Sequence, residues 1–545
     1  MPFLIIPTKP IDGQKPGTSG LRKRTALFRE PRYLENFVQC IFDGVGGVSG
    51  KTYVVGGDGR FFNAEAISTI IRMAAANGVA RLIIGAAGIL STPAVSNLIR
   101  KYSTDGGIII SASHNPGGAA GDFGIKFNMP NGGPAPERVT DAIYARSKEI
   151  TEYKIAEDGA VDINAVGEHA LGDMQISVID PVADYQALMQ ELFDFAAIRA
   201  LFSGGFRMCF DAMHAVTGPY AKQILEDTLG APQGTVINGL PSKDFGGGHP
   251  DPNPVWASEL VGIMTGPNAP DFGAASDGDG DRNMIIGKGE GGFVSPSDSL
   301  ALLTAYAHLA PAYAAGLAGV ARSMPTSRAV DIVAERLGIP CFETPTGWKF
   351  FVNLLDEDKA TLCGEESAST GSNHVREKDG LWAVLLWLNI LAKDGRDIRQ
   401  LRSDHWRSFG RNFYSRHDYE EIPSDAAEVL MAALRDRLPS LPGTKAAGMT
   451  IQAANDFAYL DPVDGSLTEK QGVRILFEGG SRIVVRLSGT GTRGATLRIY
   501  LERFVDQSGD HAADTQDALS AEIKAAESLA NIAHHTDKNE ADIIT

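Results

Sequence analysis

Apolar residues recur along the chain in two kinds of run, and their alternation sets out most of the architecture. Short unbroken runs end in glycine or in a polar turn, at residues 53–56, 81–84 and 108–110. Between them apolar positions fall three and four apart. Ile67, Ile70, Ile71 and Ala74 stripe one side of a helix predicted around residues 64–76. The same strand–helix–strand plan returns at residues 207–211, 220–229 and 235–237, and again at 320–323, 329–337 and 341–344. Each unit then reaches a further strand that ends in an unusual polar loop: Ser113-His-Asn-Pro, Ser276-Asp277, and Glu365-Glu-Ser367. Strands alternating with helices predict mostly parallel or mixed α/β layers, whose sites collect beyond the strand ends. The repeat is one of pattern and not of residue identity, so chance alternation is the competing explanation.

The last part differs. Residues 482–487 and 496–501 predict strands joined by a Gly-rich loop, and Leu519, Ile523, Ala526 and Ala530 share one face of a helix over 519–533. Residues 403–442 suggest a connector plus a helix, and the polar last dozen residues are expected to fray. The expected fold class is α/β: three related α/β repeats, each a mixed sheet between helices, plus a C-terminal α+β domain, around a central cleft. The expected boundaries are 1–182, 183–297, 298–398 and 399–545.

Composition fits this plan. At 545 residues the chain implies roughly three to four domains. Its 43% hydrophobic and 21% charged content is that of an ordinary globular protein. A formal net charge of -17 argues against a nucleic-acid partner, so an anionic small substrate would need locally basic loops. Cys40, Cys209, Cys341 and Cys363 match no metal spacing and are expected as buried free thiols in a reducing compartment. Residues 300–320 have the length of a membrane span. They are mostly Ala and Gly, with His308 and Pro311, and a buried helix pair is the better expectation. No signal peptide and no membrane association are expected, and the location expected is cytoplasmic.

Candidate chemistry concentrates in the loops. Asp277, Asp279 and Asp281 alternate with glycine in a tight turn and can aim three hard oxygen donors at one point, as Mg2+ prefers. A solvated acidic turn or a structural Ca2+ loop would share the pattern. Ser113, before His114-Asn-Pro-Gly-Gly, is lifted onto an exposed turn as a nucleophile or phosphate carrier, or as a turn hydroxyl. His114 is a catalyst or a packed residue. Lys126 is an acid/base with a lowered pKa, or a snorkelling strand lysine. Lys15-Pro-Gly-Thr18-Ser-Gly-Leu-Arg22-Lys-Arg24 combines small turn residues with cations suited to phosphate oxygens, or is a plain basic turn. Arg486-Leu-Ser488-Gly489-Thr490-Gly-Thr492-Arg493 resembles a phosphate cradle without a P-loop lysine, with Arg498 flanking it. Thr346-Gly347, Glu365, Ser367 and Lys378 offer donors and acceptors of the kind that hold sugar hydroxyls.

Together and in this order, these motifs resemble the α-D-phosphohexomutase superfamily, and within it the phosphoglucomutase branch. The likeness runs from Pro16-Gly-Thr-Ser-Gly-Leu-Arg22 to Arg498 and rests on Ser-Ala-Ser113-His-Asn-Pro, Asp277-Gly-Asp-Gly-Asp-Arg282, Cys-Gly-Glu365-Glu-Ser and Arg486-Leu-Ser-Gly-Thr-Gly. The resemblance implies a phosphoserine at Ser113, with Mg2+ on Asp277, Asp279, Asp281 and a phosphoryl oxygen of Ser113. It implies phosphoryl transfer served by Arg22, Lys126 and His114, with Lys126 the favoured acid/base. Glu365 and Ser367 would hold sugar hydroxyls, with Thr18, Arg282, Thr346, Gly347 and Lys378 around them. Arg486, Ser488, Gly489, Thr490, Thr492 and Arg498 would grip the phosphate that is not reacting. The implied reaction interconverts glucose 1-phosphate and glucose 6-phosphate through glucose 1,6-bisphosphate, in a monomer. The family's sugar loop usually continues Glu-Glu-Ser-Phe-Gly, whereas Ala368-Ser369 stands here. Rival readings are another phosphohexomutase such as a phosphomannomutase, a Mg2+-dependent phosphatase, and a non-catalytic scaffold relative, although the serine, the aspartates and the base are all kept.

Overall fold

The computed structural model of the chain describes residues 2–17, 19–488 and 494–545. Three α/β units share one strand order. In the first, Arg81–Ile89, Thr52–Gly57 and Gly107–Ile110 run parallel and Asp122–Asn128 returns antiparallel beside the last of them. In the second, Val236–Ile237, Met208–Asp211 and Phe272–Ser276 are parallel and Asn283–Gly287 returns. In the third, Cys341–Thr344, Val320–Ser323 and Leu362–Glu365 are parallel and Ser369–Ser372 returns. The polar loop of each repeat is therefore the same turn, between the third parallel strand and its antiparallel return. Such strand ends leave backbone groups free to meet a ligand.

The first sheet has further strands. Met174–Ile179 and Gly167–Leu171 extend one edge, and Leu21–Arg24 pairs antiparallel with Asp122–Asn128 on the other, setting Leu21 opposite Ile125. Gly20, at φ +87, makes this approach possible: a Cβ there would lie 2.4 Å from Ile125 O and 2.7 Å from the Lys126 Cβ.

One apolar core runs through all three units, joining Val54, Phe210, Ile285, Leu300 and Leu362. The helix Gly380–Asp394 lies inside it, with every residue from Gly380 to Leu391 buried, as expected of a helix that is apolar all round. No helix among the described residues is long and apolar enough to cross a membrane. Residues 300–320 do not form a helix pair. One helix, Pro296–Tyr306, gives way to two short 3-10 turns, Ala307–Leu309 and Pro311–Tyr313, because Pro311 cannot continue a helix.

The C-terminal unit is an antiparallel sheet in the order Lys445–Ala446, Met449–Asp456, Val473–Phe477, Arg482–Ser488, Ala495–Val505, Arg411–Ile422 and Ile543–Ile544. The helices Ser424–Arg437 and Ser520–Ala530 cover one face through Leu430, Leu434, Val485, Ile499 and Ala526. The other face meets the third unit. There Arg482 donates to Met324 O (2.7 Å) and Thr326 O (2.8 Å), and pairs with Glu502 at 2.8 Å. Two expectations fail in this unit. The supposed connector holds the long strand Arg411–Ile422, whose polar residues fall on both faces and hide the alternation. The last dozen residues do not fray: a helical turn, Ile532–Thr536, leads into the edge strand Ile543–Ile544.

Candidate active site

The first unit's loop carries Ser113 buried, and not on the exposed turn expected, in the left-handed region at φ 52, which costs a side-chain-bearing residue about 1 kcal/mol or more. Neighbours hold it there. Its N–H donates to Ser111 Oγ (2.7 Å), and its carbonyl accepts from Arg60 Nη2 (2.9 Å). Arg60 is itself buried and paired with Asp58 at 2.8 Å. The Ser113 hydroxyl donates to Asp277 Oδ2 at 2.9 Å, and His114 Nδ1 lies 3.4 Å from it. Burial, with Arg282 and Arg22 nearby, holds the His114 imidazole well below its ordinary range.

Asp277, Asp279 and Asp281 are all buried, and one carboxylate oxygen from each lies within 4.8 Å of the others. A solvated acidic turn is thereby ruled out. Asp277 Oδ1 accepts from the N–H groups of Asp281 (2.9 Å) and Arg282 (3.1 Å), which curl the turn. Asp279 Oδ2 accepts from Lys126 Nζ (2.9 Å) and Thr92 Oγ1 (2.7 Å). Two of the remaining oxygens, Asp279 Oδ1 and Asp281 Oδ1, are buried without a hydrogen-bond donor among the described residues, although the Lys378 ammonium lies 3.5 Å from the latter. Burial and the two neighbouring carboxylates push the Asp277 carboxyl well above its ordinary range. A hard divalent cation fits this donor set and would relieve both the orphaned oxygens and the mutual repulsion.

Lys126 departs from expectation. Burial alone would lower its pKa, but Asp279, then Glu377 and Asp281, outweigh it and raise the value, so the ammonium is held protonated. Glu377 is buried, accepts from Asn128 Nδ2 (2.9 Å), and is pushed up to about 7 by burial against the pull of Lys126.

A cleft enclosing about 420 Å³ is bounded by all four units. Of the cluster, Asp281 lines it together with Lys126 and Glu377, while Ser113, Asp277 and Asp279 are buried outside its lining. Arg22, His114, Lys126, Asp281 and Arg282 line it, as do Thr346, Gly347, Glu365, Ser367, Lys378, Arg486, Ser488 and Arg498. Glu365 Oε1 accepts from Gly347 N–H at 2.8 Å, which joins the two sugar-loop candidates. Ala368 adopts φ 65 and its carbonyl accepts from Asn283 N–H (2.9 Å), so the third unit's loop is tied to the second unit without an aromatic at that position. Arg486 donates to Gln471 O (3.2 Å), and Arg498 lies 3.7 Å from Asp418. Thr18, Gly489, Thr490 and Thr492 lie outside the described residues. Of the cysteines, Cys40, Cys209 and Cys363 are buried and Cys341 is half-buried; none is in a disulfide.

Sequence reasoning missed Arg60, Thr92, Glu377, Asp251 and Arg416. Asp251 lies 3.5 Å from Arg282. A signal existed for Arg60, since Gly57-Asp-Gly-Arg60 follows a predicted strand in the first unit as the other polar loops follow theirs. For the rest, only the fold brings the residue to the site, Glu377, Asp251 and Arg416 to the cleft and Thr92 to Asp279.

Four family models match the chain: phosphoglucomutase/phosphomannomutase alpha/beta/alpha domains I, II and III over residues 13–154, 183–291 and 296–409, and the phosphoglucomutase-1 C-terminal domain over 411–542. A phosphoglucomutase of Rhizobium radiobacter is 59% identical over 540 residues, covering 99% of each chain. Phosphoglucomutase 1, chloroplastic, of Marchantia polymorpha is 52% identical over 99% of this chain and 84% of its own length. The open-form crystal structure of the Paramecium phosphoprotein pp63/parafusin, a phosphoglucomutase, superposes with a TM-score of 0.91 at 46% identity, covering 100% of this chain and 99% of that one. With its three repeated units, its C-terminal sheet and these relatives, the chain belongs to the phosphoglucomutase branch of the α-D-phosphohexomutase superfamily.

Proposed function

We propose that the protein is a phosphoglucomutase that interconverts α-D-glucose 1-phosphate and glucose 6-phosphate, with Ser113 carrying the phosphoryl group between them. The observation that carries this reading is the Ser113 hydroxyl on Asp277, 2.9 Å away, inside a buried aspartate cluster whose member Asp281 lines a cleft rich in cations. We assign the units to residues 1–182, 183–297, 298–398 and 399–545, and read the enzyme as a cytoplasmic monomer.

The phosphorylated Ser113 gives its group to O6 of glucose 1-phosphate: the Oγ–P bond breaks as the O6–P bond forms, leaving glucose 1,6-bisphosphate. After the sugar turns over, the O1 phosphate returns to Ser113 and glucose 6-phosphate leaves. In the first transfer Lys126, held protonated, supplies a proton to Ser113 Oγ and the neutral His114 imidazole takes one from the O6 hydroxyl. The return transfer moves both back, from Ser113 Oγ to Lys126 and from His114 to O1. Arg22 and Arg282 stabilise charge on the group in transit. Glu365, Ser367, Thr346 and Gly347 hold the sugar hydroxyls. Arg486, Ser488 and Arg498 grip the other phosphate in both orientations, and Thr18, Lys378, Gly489, Thr490 and Thr492 complete these contacts. Asp277, Asp279 and Asp281 would hold Mg2+, with a Ser113 phosphoryl oxygen as a further ligand, and the ion when bound neutralises phosphoryl charge as a Lewis acid.

Intact-mass analysis and phosphopeptide mapping after incubation with glucose 1,6-bisphosphate, followed by a coupled assay across hexose phosphates, tests the proposal. A phosphoryl increment on Ser113 with preferred turnover of glucose phosphates is expected. Turnover without that increment overturns the carrier role.

A further inference from the structure

The strand Ile543–Ile544 closes the outer edge of the C-terminal sheet beside Arg411–Ile422. Beside the strand ladder itself, backbone bonds hold its ends: Asp542 N–H to Asp418 O (2.9 Å), Thr545 N–H to Arg416 O (3.0 Å), and Arg416 N–H back to Thr545 O (2.8 Å). Two more involve side chains, Ser415 Oγ to Thr545 O (3.2 Å) and Glu420 N–H to Asp542 Oδ2 (2.6 Å). All five fall on residues 415–420 of the neighbouring strand. Burial of apolar surface does not explain the arrangement, since Ile544 remains 50% exposed.

What the tail braces is the cationic face of the sheet. Asp418 stands opposite Arg498, and Arg498 opposite Arg486, so these three share one face. Arg416, two residues before Asp418, joins them. Asp418 Oδ1 is 3.0 Å from Arg416 Nε and its Oδ2 is 3.7 Å from Arg498 Nε, so one carboxylate is ion-paired with two guanidinium groups. Arg416, Arg486, Arg498 and Thr545 all line the cleft.

We propose that residues 542–545 are a positioning element of the active site, a clip that sets Arg416 and Asp418 so that Arg416 joins Arg486 and Arg498 on the phosphate of the bound sugar. The inference rests on the mutase reading. Arg416 is a binding residue, and the tail acts through it. Because coupling is reciprocal, a phosphate held by Arg416 must in turn stabilise the pairing of the tail.

The test compares the full chain with a chain stopped after Asp542 and with Thr545→Pro, which deletes the amide donated to Arg416 O while keeping residues 542–544 in place. Thr545→Ala, which removes the side chain but keeps the amide, is the control and should leave KM unchanged. Truncation should raise KM for glucose 1-phosphate roughly tenfold with kcat within about twofold, the signature of lost uniform binding through a charged hydrogen bond. Thr545→Pro should move KM in the same direction and decides the question if the truncated chain does not fold. An unchanged KM, or a fall in kcat at unchanged KM, overturns the proposal. Deuterium exchange gives an independent arm. Inorganic phosphate should slow exchange of the Arg416 and Thr545 amides in the native chain and not in Arg416→Gln, and equal exchange with and without phosphate overturns the clip. A native chain without mutase turnover would strike the mutase reading alone, leaving the exchange result to judge the clip.

Discussion

Ser113 Oγ and Asp277 Oδ2 are 2.9 Å apart, although 164 residues separate them in the chain. The contact joins equivalent turns of two repeats, and Gly278 makes it possible. A Cβ at residue 278 would sit 2.3 Å from the Ser113 carbonyl oxygen.

Gly278→Ala should therefore separate the two loops without unfolding either sheet. A shift of about 1 Å at reacting groups is enough to lower kcat roughly 10²-fold. Circular dichroism and a coupled assay on one preparation check this, and wild-type kcat would show that the close approach is dispensable.

Ser113→Ala should abolish mutase turnover and remove the phosphoryl increment from the peptide containing residue 113. The left-handed backbone there suits alanine no worse than serine, so the melting temperature should stay within a few degrees. Normal turnover by this variant excludes Ser113 as the carrier.

Asp279→Ala removes an acceptor of both Lys126 and Thr92 together with one of the orphaned oxygens. Activity should fall by at least about 10²-fold, the scale of losing one charge-stabilising group. A Mg2+ titration should no longer restore it, and retained Mg2+ dependence would move the metal elsewhere.

Arg498→Ala should raise KM for glucose 1-phosphate by about 2 kcal/mol, roughly thirtyfold, with little change in stability. Steady-state kinetics beside a thermal melt separates the two effects. An unchanged KM counts against the cradle.

His405, 2% exposed and stacked on Phe409 with ring centres 4.6 Å apart, is pushed from its ordinary 6.5 down to about 4, first by burial and then by Arg336. Between those values the unfolded chain binds a proton that the folded chain refuses. Stability present above pH 6.5 is thus lost as the pH falls towards 4, by up to ~1.4 kcal/mol per pH unit. Denaturant titrations across this window should show a flatter acid limb for His405→Phe, and identical limbs would exclude His405 as the source.

Chain chemistry alone determined a good deal. The helical stripe of Ile67, Ile70, Ile71 and Ala74, the runs before Ser113, Asp277 and Glu365, and the small residues of those turns all act locally, through steric and periodic constraints that short segments carry by themselves. The repeat and the loops with chemistry were therefore legible. Tertiary structure decided what depends on partners distant in the chain. It turned Lys126 into a held ammonium, because Asp279 lies 2.9 Å away on another unit. It made a strand of 411–422, whose polar residues face the cleft on one side and pack beneath helices on the other, and it gave the polar tail an edge to pair with. The physical reason is common to all three: charge state, strand pairing and cleft exposure are fixed by neighbours that only folding supplies.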